Sequence, residues 1–199
     1  CQSSPKIIAT CFGKGNVAVN EPNKGAILET TWKGTKYNTV NSYKQVGTIY
    51  GLAVRSDTKE VFGSAYLRRK AGLGPYGIDG IYKNGVPWLH LETIAQQAGE
   101  TLGANPRAAN QSNYDLAIND EATEEFVGRR GIGDIDISPD NKVLYATNLN
   151  TGSVYAIRIS DKALLKTVKF NGTLATKNGR NCVANDVRVF GLGIKGSGE

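Results

Sequence analysis

Aspartates carry the strongest chemical suggestion in this 199-residue chain. In Gly133-Asp134-Ile135-Asp136-Ile137 carboxylates alternate with isoleucines. The two-residue period of a strand puts Asp134 and Asp136 on one face and both isoleucines on the other. Carboxylates gathered with backbone carbonyls hold Ca²⁺, so Asp134 and Asp136, joined by Asp79, form a possible calcium set at the innermost strand of a β layer. The competing and favoured role is structural: each aspartate accepts backbone N–H bonds from neighbouring loops and ties layers together. Cys11 and Cys182 would pair as a disulfide in an exported chain. Cys1 stands where a lipoprotein carries its lipid, and a buried free thiol is the alternative for any of the three. There is no C-x-x-C, and the single histidine, His90, is remote from the cysteines, so a zinc site lacks ligands.

Other motifs read as structure. Gly72-Leu73-Gly74-Pro75-Tyr76-Gly77 and Gly191-Leu192-Gly193-Ile194-Lys195-Gly196 both spell G-x-G-x-x-G. Neither opens a helix, which a dinucleotide loop requires. Ser56, Ser138 and Ser153 lie on turns or strands, away from any nucleophile elbow. The run Asp120, Glu121, Glu124, Glu125 suits a solvated helix face capped by Asp120, and Asn110 and Asn171 head N-x-S/T sequences. The net charge is +6, and the bases cluster only at Arg68-Arg69-Lys70 and Arg129-Arg130. A nucleic-acid surface wants clustered bases interleaved with aromatics, so no nucleic-acid partner is expected. No window is long and apolar enough to span a membrane as a helix. The chain has no methionine, so Cys1 is expected to follow a removed segment such as a signal peptide.

The elements that must position these residues announce themselves by repetition. Ile49–Ala65 and Gly131–Thr147 share one design: apolar strand, polar turn, apolar strand, with Gly51 aligned to Gly133. Phe190-Gly191-Leu192-Gly193-Ile194 repeats the opening. With 24 glycines, short β-rich runs and few helical patterns, the chain reads as all-β. The expected architecture is a partial β-propeller: about two and a half four-stranded blades after an N-terminal strand segment. Residues 1–199 are expected to form the N-terminal portion of one such domain. The first blade has strands at 48–54, 60–67, 77–82 and 87–91, with Lys83-Asn84-Gly85 as a tight turn. The second has strands at 132–138, 143–148, 153–159 and 164–170. Strands are also expected at 7–12 and 25–32, with 33–45 as a polar hairpin or loop. An insertion at about 92–130 separates the blades and holds short helices near 91–98 and 120–127. The plain alternative is a β-sandwich.

Several stretches resemble a known group. They are Tyr50-Gly51-Leu52-Ala53, Arg68 to Pro75, Gly77 to Tyr82, Val127 to Ser138, Asn148-Leu149 and Asp186 to Leu192. Together they resemble the β-propeller region of large secreted bacterial surface proteins that carry SD-repeat or immunoglobulin-like modules, over roughly residues 46–194. Val189 departs from the proline usual in that group. The resemblance implies export, a secreted or cell-surface setting, and a role in adhesion or surface assembly, with no catalytic residues to carry over. The function expected is therefore a non-catalytic binding or scaffolding module. Its partners would be the remaining blades of the propeller or a neighbouring copy, and a protein or glycan ligand. One alternative is a propeller hydrolase whose channel ion, on Asp134, Asp136 and Asp79, activates water. Another is a secretion-system cargo or filament subunit.

Overall fold

The computed structural model describes residues 5–15, 20–34, 36–107, 120–170 and 188–196. They form three antiparallel sheets, none closed. The first has three strands: β1 (Lys6–Thr10), β2 (Gly25–Thr31) and β3 (Tyr37–Ser42), in that order. β1 pairs with β2 inside this sheet. β3 falls in the segment expected to be a polar hairpin or loop, and a helical turn, Tyr43–Val46, follows it.

The two other sheets are four-stranded meanders in sequence order. One contains β4 (Ile49–Val54), β5 (Val61–Ala65), β6 (Gly80–Lys83) and β7 (Val86–His90). The other contains β8 (Ile132–Ile137), β9 (Val143–Asn148), β10 (Ser153–Arg158) and β11 (Leu164–Lys169). Each expected strand of the two repeats is present. The stretch expected to start a strand at Gly77 instead begins with a 3₁₀ turn, Gly77–Asp79. Asn84 and Gly85 take φ of 49° and 80°, the left-handed pair that a two-residue hairpin turn needs.

The ladders are equivalent, although one residue out of step with the alignment of Gly51 on Gly133. Ile49 pairs with Ala65 as Ile132 pairs with Asn148. Leu52–Gly63 matches Ile135–Ala146, and Val54–Val61 matches Ile137–Leu144. Both first strands carry a bulge between the first and second of these pairs. The bulge absorbs one glycine in each copy, at different places in the bulge, which is why matching glycines misplaces the register.

This register shows that the sheets stack head to tail. Phe62, Ile81 and Leu89 of the β4–β7 sheet pack with Ile135, Leu144 and Tyr155 of the β8–β11 sheet in one apolar core. The opposite face of β4–β7, with Ile49, Val61, Ala65 and Tyr82, packs on Ala26, Ile27, Tyr43 and Val46 of the N-terminal layer. In the second meander the residues equivalent to Phe62, Ile81 and Leu89 are Tyr145, Val154 and Val168. They line an apolar groove with Leu192 and Ile194, from the extended segment 188–196.

Two glycines let neighbouring backbone approach, Gly51 on β4 that of β8 and Gly133 on β8 that of segment 188–196. A Cβ on Gly51 would lie 2.5 Å from Ser64 Oγ and 2.9 Å from Ile135 N. One on Gly133 would lie 2.7 Å from Thr147 Oγ1 and 2.6 Å from Val189 O. In both cases a hydroxyl on the second strand and the neighbouring backbone, β8 or segment 188–196, fill the space. Gly133→Ala should therefore destabilise by roughly 1–3 kcal/mol. Gly191→Ala, where a Cβ meets nothing within 4 Å, should change stability by less than about 0.5 kcal/mol. Urea unfolding of the two variants checks this contrast.

Candidate functional site

The inner-strand carboxylates are engaged by backbone. Asp134 Oδ1 accepts the Ile135 N–H at 2.9 Å, and its Oδ2 accepts the Leu192 N–H at 3.2 Å. Asp136 repeats the pattern with Ile137 and Ile194, both at 2.8 Å. The two-residue spacing of the aspartates thus matches that of Leu192 and Ile194, and extended chain lies along β8. Burial pushes the Asp134 carboxyl above its usual range, while the amides of Leu192 and Ile135 act in the other direction.

Asp79 sits elsewhere, buried on the 3₁₀ turn before β6, 3.4 Å from Arg130 Nη1. Burial raises its carboxyl too, outweighing the Arg130 charge. Among the described residues no group of three His, Cys, Asp or Glu side chains is disposed to hold a metal ion.

The described parts of the insertion, residues 92–107 and 120–130, are fixed by three polar nodes. In the first, Arg107 and Asp120 form a buried ion pair. Arg107 also donates to the Arg68 carbonyl at 2.7 Å and to the Ala71 carbonyl, and Asp120 accepts the Lys70 N–H. Asp120 precedes the 3₁₀ turn Glu121–Phe126, but its side chain makes no cap there, because Arg107 and Lys70 occupy it. Glu121, Glu124 and Glu125 are exposed, as a solvated face requires.

In the second node Arg130 donates to the carbonyls of Gly103 and Ala104. In the third, Glu100 accepts from Ser153 Oγ at 3.0 Å, from Lys169 Nζ at 3.0 Å and from the Tyr155 hydroxyl. The helix Leu91–Gln97 lies against β7 and β10 and buries Leu91, Ile94 and Ala95. Sequence reasoning gave no role to Arg107 or Glu100. Their partners are backbone carbonyls and residues far along the chain, which leave no local pattern.

Cys11 is exposed and unbridged. Cys1, Cys182, Asn110 and Asn171 lie outside the described residues. His90 stands edge-on to Tyr76 with ring centroids 6.0 Å apart. Gly74 of the first glycine-rich motif lies against the Val46 carbonyl, which leaves no room for a Cβ. The motif serves close packing of backbone on backbone.

No protein-family model matches the chain. It is similar to colossins of Dictyostelium discoideum. Colossin-D is 24% identical over 177 aligned positions, taking in 81% of this chain and 18% of that protein. Colossin-A is 24% identical over 163 positions, 77% of this chain and 1% of that protein. Colossin-B is 25% identical over 207 positions, 99% and 5% respectively. The chain therefore spans less than a fifth of the length of these relatives. These findings correct the resemblance to bacterial surface proteins with SD-repeat or immunoglobulin-like modules: the similarities lie with a eukaryote. The stretches that carried it are strand openings and glycine turns. Any stack of such hairpins needs them for steric reasons, so they do not mark a lineage. The bacterial setting and the adhesive role lose their ground with it.

Two outcomes test the nodes. Asp120→Asn leaves Arg107 buried without its counter-charge and should cost about 3–5 kcal/mol, and replacing both partners by apolar residues should not recover that loss, because the carbonyls of Arg68 and Ala71 and the Lys70 N–H then lose their partners. Chemical denaturation of the single and double variants measures both. Burial pushes Glu100 up, but the hydrogen bonds from Tyr155, Lys169 and Ser153 outweigh it and hold the carboxyl below its ordinary value. Its contribution is thus present above the usual glutamate pKa and lost as pH falls through the lowered folded value. Glu100→Gln should cost about 1–3 kcal/mol at neutral pH and flatten the acid limb of the stability–pH curve.

Proposed function

We propose that the chain is a non-catalytic scaffolding and interaction module, built as a partial β-propeller within a longer polypeptide. One observation carries the reading: the front face of one four-stranded meander packs on the back face of the next. Heterologous stacking of this kind is open-ended, closing into a ring or continuing as an array. The apolar front face of the second meander supports a further copy beyond it. There Val168 and Phe170 are 43% and 37% exposed, while Phe62 and Ile81 of the first meander are fully buried. The partner of that face is a further sheet of the same repeat, from this polypeptide or a neighbouring copy. The great length of the colossins supports the same placement inside a larger chain. The insertion, pinned by Arg107, Arg130 and Glu100, is the surface offered to a protein or glycan ligand.

The alternative is a hydrolase with a channel ion on Asp134 and Asp136. It requires both carboxylates to be available to metal, and both accept two amide hydrogens. The reading is tested on Asp134→Asn and Asp136→Asn. The scaffold reading expects amide exchange at Leu192 and Ile194 to speed up by about tenfold in the variants. It also expects no Ca²⁺-dependent rise in Tm and no hydrolysis of lactone or phosphoester substrates. A Ca²⁺-dependent turnover lost in Asp134→Asn would sink it.

A further inference from the structure

We infer that the cleft between residues 12–14 and 68–70 is a binding site for a tetrahedral oxyanion, a phosphate or sulfate group. The cleft has a volume of about 290 Å³ and is lined by Phe12, Gly13, Lys14, Arg68, Arg69 and Lys70. Four of these six residues are cations, and none is a carboxylate. Arg68 stacks on the Phe12 ring, its guanidinium carbon 4.7 Å from the centroid. Stacking holds a guanidinium through its face and leaves its N–H edges for an acceptor. Arg69 Nε is shielded from solvent and meets no hydrogen-bond acceptor among the described residues. That is an orphan donor in a cationic cleft, and such a group calls for an explanation. Of the carboxylates nearby, Asp120 is buried and held by Arg107 and the Lys70 N–H, and Glu124 reaches Arg69 Nη1 at 3.2 Å across a pair that is 39% and 66% exposed. Exposed pairs of this kind are worth about 0–1 kcal/mol, so a bound dianion displaces it.

The loop that carries these charges is held rigidly. Arg107 grips the carbonyls of Arg68 and Ala71, and Asp120 takes the Lys70 N–H. From the other side Gly15 N–H donates to the Lys70 carbonyl at 2.7 Å, and Gly72 N–H donates to the Gly15 carbonyl at 3.0 Å. Lys70 itself sits at φ 60°, in the left-handed region that a residue with a side chain enters at a cost of about 1–2 kcal/mol. A buried ion pair, two backbone clamps and a strained lysine are heavy means for holding a surface loop. Leu67 and Ala71 anchor the loop in the interior on either side, while Arg68 is exposed and Arg69 and Lys70 are half-buried. The joint effect of these restraints is to converge like charges that would otherwise spread apart, and an oxyanion relieves that repulsion with charge-assisted hydrogen bonds.

The test is a titration of the 199-residue chain with sodium phosphate and, separately, sodium sulfate at constant ionic strength, with chloride as reference, followed by the amide resonances of Gly13, Lys14 and Lys70. Saturable shifts with either anion support the site, and the anion that saturates at lower concentration identifies its source chemistry. Arg69→Gln should weaken binding by about tenfold, and Glu124→Gln, which removes the competing carboxylate, should tighten it. Lys14→Gln, at an exposed position, gives the same reading should Arg69→Gln lower Tm. Linear shifts that chloride reproduces, or saturation unchanged by Arg69→Gln and Lys14→Gln, would overturn the inference.

Discussion

Burial of both faces of the β4–β7 sheet is the constraint from which the rest follows. All five residues of β5, Val61 to Ala65, are buried, so neither side of that strand meets water. A sheet in that position needs a layer on each side. The N-terminal layer and the β8–β11 sheet supply them, and each contributes its own apolar set. The small residues on β5 and β4 set how closely the layers sit: a Cβ on Gly63 would meet Ile27 Cδ1 and Ile49 Cγ2 at 3.1 Å each. A larger side chain there would push the layers apart and open voids on both faces.

The buried charges have a different task. A buried ion pair returns about as much in Coulomb attraction as it loses in desolvation, so Arg107–Asp120 and Arg130–Asp79 do not by themselves make the fold stable. The two differ in kind. Arg107 and Asp120 are matched closely and also satisfy backbone groups of the 68–71 loop. Arg130 lies 3.4 Å from Asp79 and gives its remaining donors to the carbonyls of Gly103 and Ala104. That separation is long for a charge-assisted bond, consistent with burial prevailing in the raised Asp79 carboxyl. Both arginines place carbonyls of an irregular segment that has no ladder to satisfy them.

Much of the fold was legible in the residues because it rests on local chemistry. Asn84-Gly85 dictates its turn, and the alternation of Asp134, Ile135, Asp136 and Ile137 dictates which side chains go inward. β3 was not legible: Tyr37-Asn38-Thr39-Val40-Asn41-Ser42 buries only Asn41 and carries no apolar alternation. It is a strand because β2 offers it a ladder. The register of the repeat was misjudged by one residue for a related reason. A bulge is set by hydrogen bonding across the pair, and Tyr50-Gly51 and Gly133-Asp134 resolve it with the glycine at different places. The strand period puts both aspartates on one face, but the amides they meet, at Leu192 and Ile194, have no side-chain signature.

The two layer contacts also differ in what holds them, and the repeat register makes the comparison direct. Asp136 stands where the first meander has Ala53, and Asp134 where it has Gly51. Ala53 belongs to the apolar core between the two meanders. A small residue suffices there because β8 arrives with a complete sheet behind it, and sheet-on-sheet burial fixes its position. The segment 188–196 has no strand assignment, and its Leu192 and Ile194 cover the second meander only in part. Apolar contact over so narrow a strip is weak. Two carboxylates that each accept an amide hydrogen from it then set its register as a ladder would, since charge-assisted bonds are directional where burial is not. The aspartates are therefore the device that seats segment 188–196 along β8.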